Sequence, residues 1–149
     1  MLVAASERLA KLRRVLMSRW HFDLCFTPEP GVAKVALTEQ ADVLEMLVEG
    51  LGSNMSFAGW RIYGTDLGHR VEVRLWGNGE LEVIARLDAR VKDSDRFVRD
   101  LCICAQALHC RLFSVDLSED LEPDPDVVKE ALRRSSAWRV AAAMGPVVH

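Results

Sequence analysis

The chain has 149 residues, of which half are hydrophobic and 28% are charged, and its formal net charge is −3. This size and composition exclude general disorder and predict a single packed domain over residues 1–149. The slight negative charge argues against a nucleic-acid binder, no apolar run approaches the ~20 residues of a membrane span, and the lack of a secretory leader predicts a cytoplasmic protein.

The first third of the chain predicts two helices and two strands. Leucines and a tryptophan recur at three- and four-residue steps over residues 6–20, which indicates an amphipathic helix. Apolar residues alternate over 21–26, which predicts a strand, followed by a turn over 27–31 and a second strand over 32–37. A second helix is expected from Thr38 as N-cap, with its buried side formed by Ala41, Leu44, Leu47, Val48 and Leu51.

The middle of the chain predicts sheet. A short strand is expected over 57–63, and two longer ones over 70–76 and 80–87, where apolar and charged residues alternate. The Gly-Asn-Gly sequence at 77–79 supplies the positive φ values of a tight hairpin, so we predict that the two longer strands pair antiparallel. Their charged side chains are expected to face solvent.

The last third predicts a helix, a strand, an acidic loop and another helix. The third helix follows Asp93 or Ser94, and its buried side comprises Phe97, Leu101, Cys104, Ala105 and Leu108. A strand is expected over 111–115, and a fourth helix that Asp124 caps and Pro125 begins. Residues beyond 140 are expected to be frayed. The whole order predicts an α+β fold, with an antiparallel sheet of about four to six strands and helices mainly on one face.

The cysteines and histidines do not form a recognisable catalytic or metal-binding pattern. The chain has four cysteines, Cys25, Cys102, Cys104 and Cys110. Cys102 and Cys104 stand two apart in a predicted helix, so they point in different directions and cannot readily hold one metal ion. Nucleophile and base types occur at Cys25, Cys110, His21, His69 and His109. No nucleophile-elbow pattern surrounds them, so the sequence predicts no catalytic residue, no metal and no cofactor.

Acidic residues and tryptophans are the candidates for binding. Residues 116–126, the acidic segment, contain six acids among eleven residues, and loops are where scaffolds usually mount binding surfaces. The candidate residues are Asp116, Glu119, Asp120, Glu122, Asp124 and Trp76. Trp76 is expected on the charged side of its strand, and Trp20, Trp60 and Trp138 are further surface candidates. The alternative is that the acids are simply solvated and each tryptophan covers an edge of the core.

The C-terminal part of the chain resembles a known group of proteins. From about residue 96 to residue 138, a helix, LCICAQALHCRLFSVD, a polar turn with Pro123 and VVKEALRRSSAW follow one another. In order and core pattern this resembles the C-terminal half of small bacterial α+β proteins of uncharacterised or toxin-neutralising (immunity) type. The resemblance implies partner binding through a charged surface and identifies no functional residue.

The leading functional hypothesis is therefore a non-catalytic binding protein that acts through a charged surface. Its expected partner is a protein, basic where it meets the acidic segment, and a toxin is one form of such a partner. The alternative is a small-molecule-binding or enzymatic domain whose site is built from scattered residues. A third hypothesis is that the chain forms a homodimer through a sheet edge or face.

Overall fold

The structure, a computed structural model, describes residues 19–31, 41–51, 54–57, 59–64, 68–75 and 81–144. Within these ranges the strands are β1 (His21–Pro28), β2 (Asn54–Phe57), β3 (Trp60–Gly64), β4 (Arg70–Leu75), β5 (Leu81–Asp88), β6 (Cys110–Ser114) and β7 (Glu119–Leu121). The helices are α1 (Ala41–Glu49), α2 (Asp95–Ala107), α3 (Pro125–Arg134) and α4 (Ser136–Met144). Most of the predicted helix over 6–20, the predicted strand over 32–37 and Trp76 lie outside the described residues.

The strands form one antiparallel sheet in the order β2-β3-β4-β5-β1-β6-β7. β1 is an interior strand of the sheet, and it pairs with β5 on one side and with β6 on the other. β4 and β5 pair antiparallel with Leu75 opposite Leu81, which confirms the predicted pairing of these strands. The predicted α+β class with an antiparallel sheet is likewise confirmed.

Over the described residues the sheet contains seven strands, against the four to six expected, and two of its local features were not predicted. The single strand predicted over 57–63 is wrong, because β2 and β3 are two arms of a hairpin. Gly59 lies in the turn between them with a φ of +85°, a conformation that favours glycine. The acidic segment is also not loop throughout, since Glu119–Leu121 pairs with β6 as the edge strand β7.

One face of the sheet shares a hydrophobic core with all four described helices. The predicted buried side of α2 is confirmed, and it consists of Phe97, Leu101, Cys104, Ala105 and Leu108. In α1, Leu44, Leu47 and Val48 are buried as predicted. Helical periodicity of three to four residues thus identified buried side chains of α1 and α2.

The C-terminal part contains a helix that the sequence did not predict. Ser135 has an extended backbone and ends α3, and its Oγ donates a hydrogen bond to the Leu132 carbonyl at 2.6 Å. The same Oγ accepts from the Trp138 backbone N–H at 3.1 Å, so it satisfies a donor in the first turn of α4. α4 continues to Met144, and the expectation of fraying beyond residue 140 is therefore wrong for residues 141–144.

The second face of the sheet carries charged side chains, and several of them are buried. Glu72 and Arg86 are 0% and 1% exposed, and Arg70 is 8% exposed. The prediction that these charged positions face solvent is therefore wrong. The alternation of apolar and charged residues shows that the two faces differ, but it does not show that the charged face is uncovered. A smaller apolar cluster on this face includes Trp60 and Cys25.

Candidate functional site

The acidic segment begins in the turn between β6 and β7 and contacts the start of α4. The Asp116 carboxylate accepts hydrogen bonds from the Ser136 backbone N–H at 2.9 Å and from the Ser136 hydroxyl. A carboxylate at this position suits the partial positive charge of a helix N-terminus. These bonds join residues twenty apart in sequence and place the acidic segment beside the first turn of α4.

Two acids on β7 form ion pairs with neighbouring elements. Both Glu119 oxygens accept from the Arg134 guanidinium, at 3.0 and 2.8 Å, and this interaction lowers the pKa of Glu119. Arg134 also pairs with Glu130 one helical turn earlier. Asp120 lies 3.4 Å from the Arg111 guanidinium on β6, and its side chain is 55% exposed. The acids of the edge strand are thus partly compensated but remain accessible to solvent.

The last two candidate acids have different environments. Asp124 is the N-cap of α3, and its Oδ1 accepts from the backbone N–H groups of Asp126 at 2.8 Å and Val127 at 3.3 Å. This confirms the cap predicted from the sequence. Glu122 is exposed, and its side chain makes no hydrogen bond or ion pair with another described residue. Of the five candidate acids, Glu122 is therefore the one whose carboxylate is not engaged by another described residue.

Trp138 lies two residues after the contact between Asp116 and Ser136. It is 39% exposed, whereas Trp60 is 5% exposed and packs in the second-face cluster. A partly exposed indole in the same helical turn as Ser136, the residue that binds Asp116, offers a large apolar contact area of the kind that protein interfaces use. We call Trp138 and the acidic segment together the C-terminal surface. Trp76, the tryptophan favoured from the sequence, lies outside the described part of the chain.

A buried charge network on the second sheet face was not predicted. The Arg86 guanidinium donates to Glu72 at 2.9 Å and to Asp23 at 3.0 Å, and Arg70 donates to the other Glu72 oxygen. These side chains come from adjacent strands β1, β5 and β4 and alternate in sign. The sequence signal for this network was the Arg-x-Glu spacing, which places Arg70 and Glu72 on one face of β4. The other two members, Arg86 and Asp23, lie farther away in sequence.

Burial disfavours the anionic form of Asp23 in this network. Burial raises the pKa of Asp23 to about 6, the positive charge of Arg86 opposes that rise, and the negative charge of Glu72 adds to it. Arg86 is shared between two carboxylates, so it does not fully compensate either one. The second Asp23 oxygen, Oδ1, is buried without a hydrogen-bond partner among the described residues.

Two histidines, His21 and His69, lie near the end of β5. His21 Nε2 lies 3.0 Å from the Gly68 carbonyl oxygen, and His69 Nδ1 accepts a hydrogen bond from the Asp88 backbone N–H at 3.0 Å. Burial lowers the pKa of both histidines, so both are neutral at pH 7. The His69 ring stacks on Phe97 with 4.6 Å between ring centroids.

The cysteines are poor candidates for a nucleophile. Burial raises the pKa of Cys25, Cys102 and Cys104 to about 12 and that of Cys110 to about 11. The reactive form of cysteine is the thiolate, which is scarce at neutral pH when the pKa is this high. Over the described ranges, no group of three or more His, Cys, Asp or Glu side chains is arranged to hold a metal ion.

Comparison of the chain with protein-family models, with curated protein sequences and with solved structures found no match. None of the helices in the described part combines the length and apolarity needed to cross a lipid bilayer.

Proposed function

We propose that this chain is a non-catalytic binding protein that recognises a protein partner through the C-terminal surface. The observation that carries the proposal is that the Asp116–Ser136 hydrogen bonds join the acidic segment to the first turn of α4, which contains the exposed Trp138. The partner we propose presents basic side chains around an apolar contact. The resemblance to immunity-type proteins makes a toxin the partner class to test first.

The chemistry of the C-terminal surface supports this kind of contact. Tryptophan is enriched among the residues that dominate interface energetics, because it buries a large area at a small entropic cost. Exposed carboxylates of the acidic segment raise the association rate with a basic partner through long-range attraction. Glu122 and Asp120, both exposed to solvent, provide that charge.

The test is a kinetic comparison of variants binding to a partner captured from the native host and then purified. Asp120→Asn with Glu122→Gln should lower the association rate at low salt and flatten its salt dependence. Trp138→Ala should raise the dissociation rate by about tenfold or more, as loss of an interface anchor does. Asp124 is left unchanged because its loss would weaken α3.

Two exposed acids on α1 provide the matched control. Glu45→Gln with Glu49→Gln removes the same charge from another surface and should leave both rate constants nearly unchanged. The proposal is wrong if the Asp120/Glu122 pair and Trp138→Ala bind the partner with wild-type rates across salt concentrations. Trp76 would then be the next residue to substitute.

A further inference from the structure

The end of β5 is held by a hydrogen bond that depends on a neutral histidine. His69 precedes β4, and its Nδ1 accepts from the backbone N–H of Asp88, the last residue of β5. We call His69, Asp88 and Arg90 the β5 corner. The C-terminal surface makes no use of this corner, so the corner is a separate feature of the molecule.

Protonation of His69 is incompatible with this hydrogen bond. A neutral imidazole has one acceptor nitrogen, and in an imidazolium both ring nitrogens are donors. On protonation, the His69 Nδ1–H and the Asp88 N–H would therefore point at each other as two donors. A 180° flip of the ring would preserve its stacking on Phe97, where the rings are inclined by only 17°, but it would place the Cδ2–H group, not an acceptor, against the Asp88 N–H.

The Asp88 carboxylate is already bound by Arg90. Its Oδ1 already accepts from the Arg90 backbone N–H and from Arg90 Nε, both at 2.9 Å. Its Oδ2 accepts from Arg90 Nη2 at 2.7 Å, and Asp88 is 1% exposed. The corner carboxylate thus already accepts three hydrogen bonds from Arg90, whose guanidinium lies over the Trp20 ring at 4.4 Å.

The charged groups around His69 have opposite effects on its pKa. The Asp88 charge favours the imidazolium, whereas a positive charge on His21, at the start of β1, opposes it. Arg70 and Arg86 in turn disfavour a charge on His21. Burial outweighs the attraction by Asp88, and the pKa of His69 lies below its ordinary value. The Nε2 atom, which carries the proton of the neutral ring, has no hydrogen-bond partner in the described ranges.

We propose that the β5 corner responds to acid through His69. When His69 is neutral, its hydrogen bond to the Asp88 N–H holds the end of β5 in place, and we call this state the closed corner. When His69 is protonated, the bond is lost and the corner opens. In the open corner the imidazole is hydrated and regains the ordinary histidine pKa. The closed corner is therefore fully stable above about pH 6.5 and loses stability as the pH falls below that value. Release would free the end of β5 and the turn that leads to α2.

The test is amide hydrogen exchange at Asp88, followed by NMR together with the titration of the His69 ring nitrogens. As the pH falls below about 6.5, the protection factor of the Asp88 amide should decrease by up to about tenfold per pH unit, because opening takes up one proton. A local readout is needed because Asp23, whose pKa is raised, stabilises the fold on acidification and opposes the histidines in the global free energy.

His69→Asn supplies a non-titrating acceptor near the position of Nδ1, and His109→Asn, at an exposed residue with a φ of +53°, is the control. In His69→Asn the Asp88 protection factor should not change with pH, while His109→Asn should behave as the wild type. If His69→Asn does not fold, the wild-type titration decides. A His69 ring that becomes protonated while the Asp88 amide keeps its full protection would overturn the proposal, as would an unchanged pH dependence in His69→Asn.

Discussion

At the scale of single residues, the acids of the acidic segment contribute to folding as well as to the proposed binding. Asp124 and Asp116 close the first turns of α3 and α4, and Glu119 ties the edge strand β7 to the end of α3 through Arg134. These contacts hold the segment in one conformation. A binding surface that is already ordered loses less conformational entropy when a partner docks.

The cap residue gives the first stability prediction. Asp124→Ala should lower the free energy of unfolding by about 1 kcal/mol, because two backbone N–H groups of α3 lose their acceptor. Asp124→Asn keeps an acceptor oxygen and should recover most of that loss. Urea denaturation of the three proteins is the measurement. Equal stability of Asp124→Ala and the wild type would mean that the cap contributes nothing in solution.

Which single-residue roles could be predicted depended on sequence distance. Asp124 and Pro125 were identified because a cap and its helix are adjacent, so the chemistry is local. The partner of Asp116 lies twenty residues away on a helix that was not predicted. The burial of Asp23 and Arg86 was missed for the same reason, since their ion pair joins residues 63 apart.

At the scale of elements, helical periodicity was the most informative signal. Leu101 was assigned to the buried side of α2 from its spacing, and it is 0% exposed. The strand boundaries were harder to predict from the sequence than the helices, because a glycine such as Gly59 can occur within a strand or in a turn. β7 was missed because three residues are too few to show alternation.

The helix α2 offers a matched pair of substitutions. Leu101→Ala should lower the free energy of unfolding by about 2–5 kcal/mol, since it leaves a cavity in the core. Ile103→Ala on the same helix should change it by no more than about 0.5 kcal/mol, because Ile103 is 45% exposed. Chemical denaturation compares them directly. Similar losses for both variants would show that the buried side of α2 is misassigned.

At the scale of the whole molecule, the sheet order brings distant segments into one surface. β6 pairs with β1, and β7 pairs with β6. The turn between β6 and β7 contacts the start of α4 through the Asp116–Ser136 hydrogen bond. The sequence identified the acidic segment as a binding candidate and Trp76, on the charged side of its strand, as a separate one. The contact between the acidic segment and the helix that contains Trp138 follows from tertiary structure, and the 39% exposure of that residue could not be predicted from spacing alone.

The most direct measurement of the proposed function is site-specific photocrosslinking in cells of the native host. A photoreactive residue is placed at position 138 or 122 of the C-terminal surface, or at position 45 on α1 as the control. Because position 45 is exposed but belongs to another element, it reports random encounters. We predict that positions 138 and 122 crosslink to the same discrete protein and that position 45 does not. Crosslinking of one protein equally from all three positions, or from position 45 alone, would contradict the assignment of the C-terminal surface as the binding site.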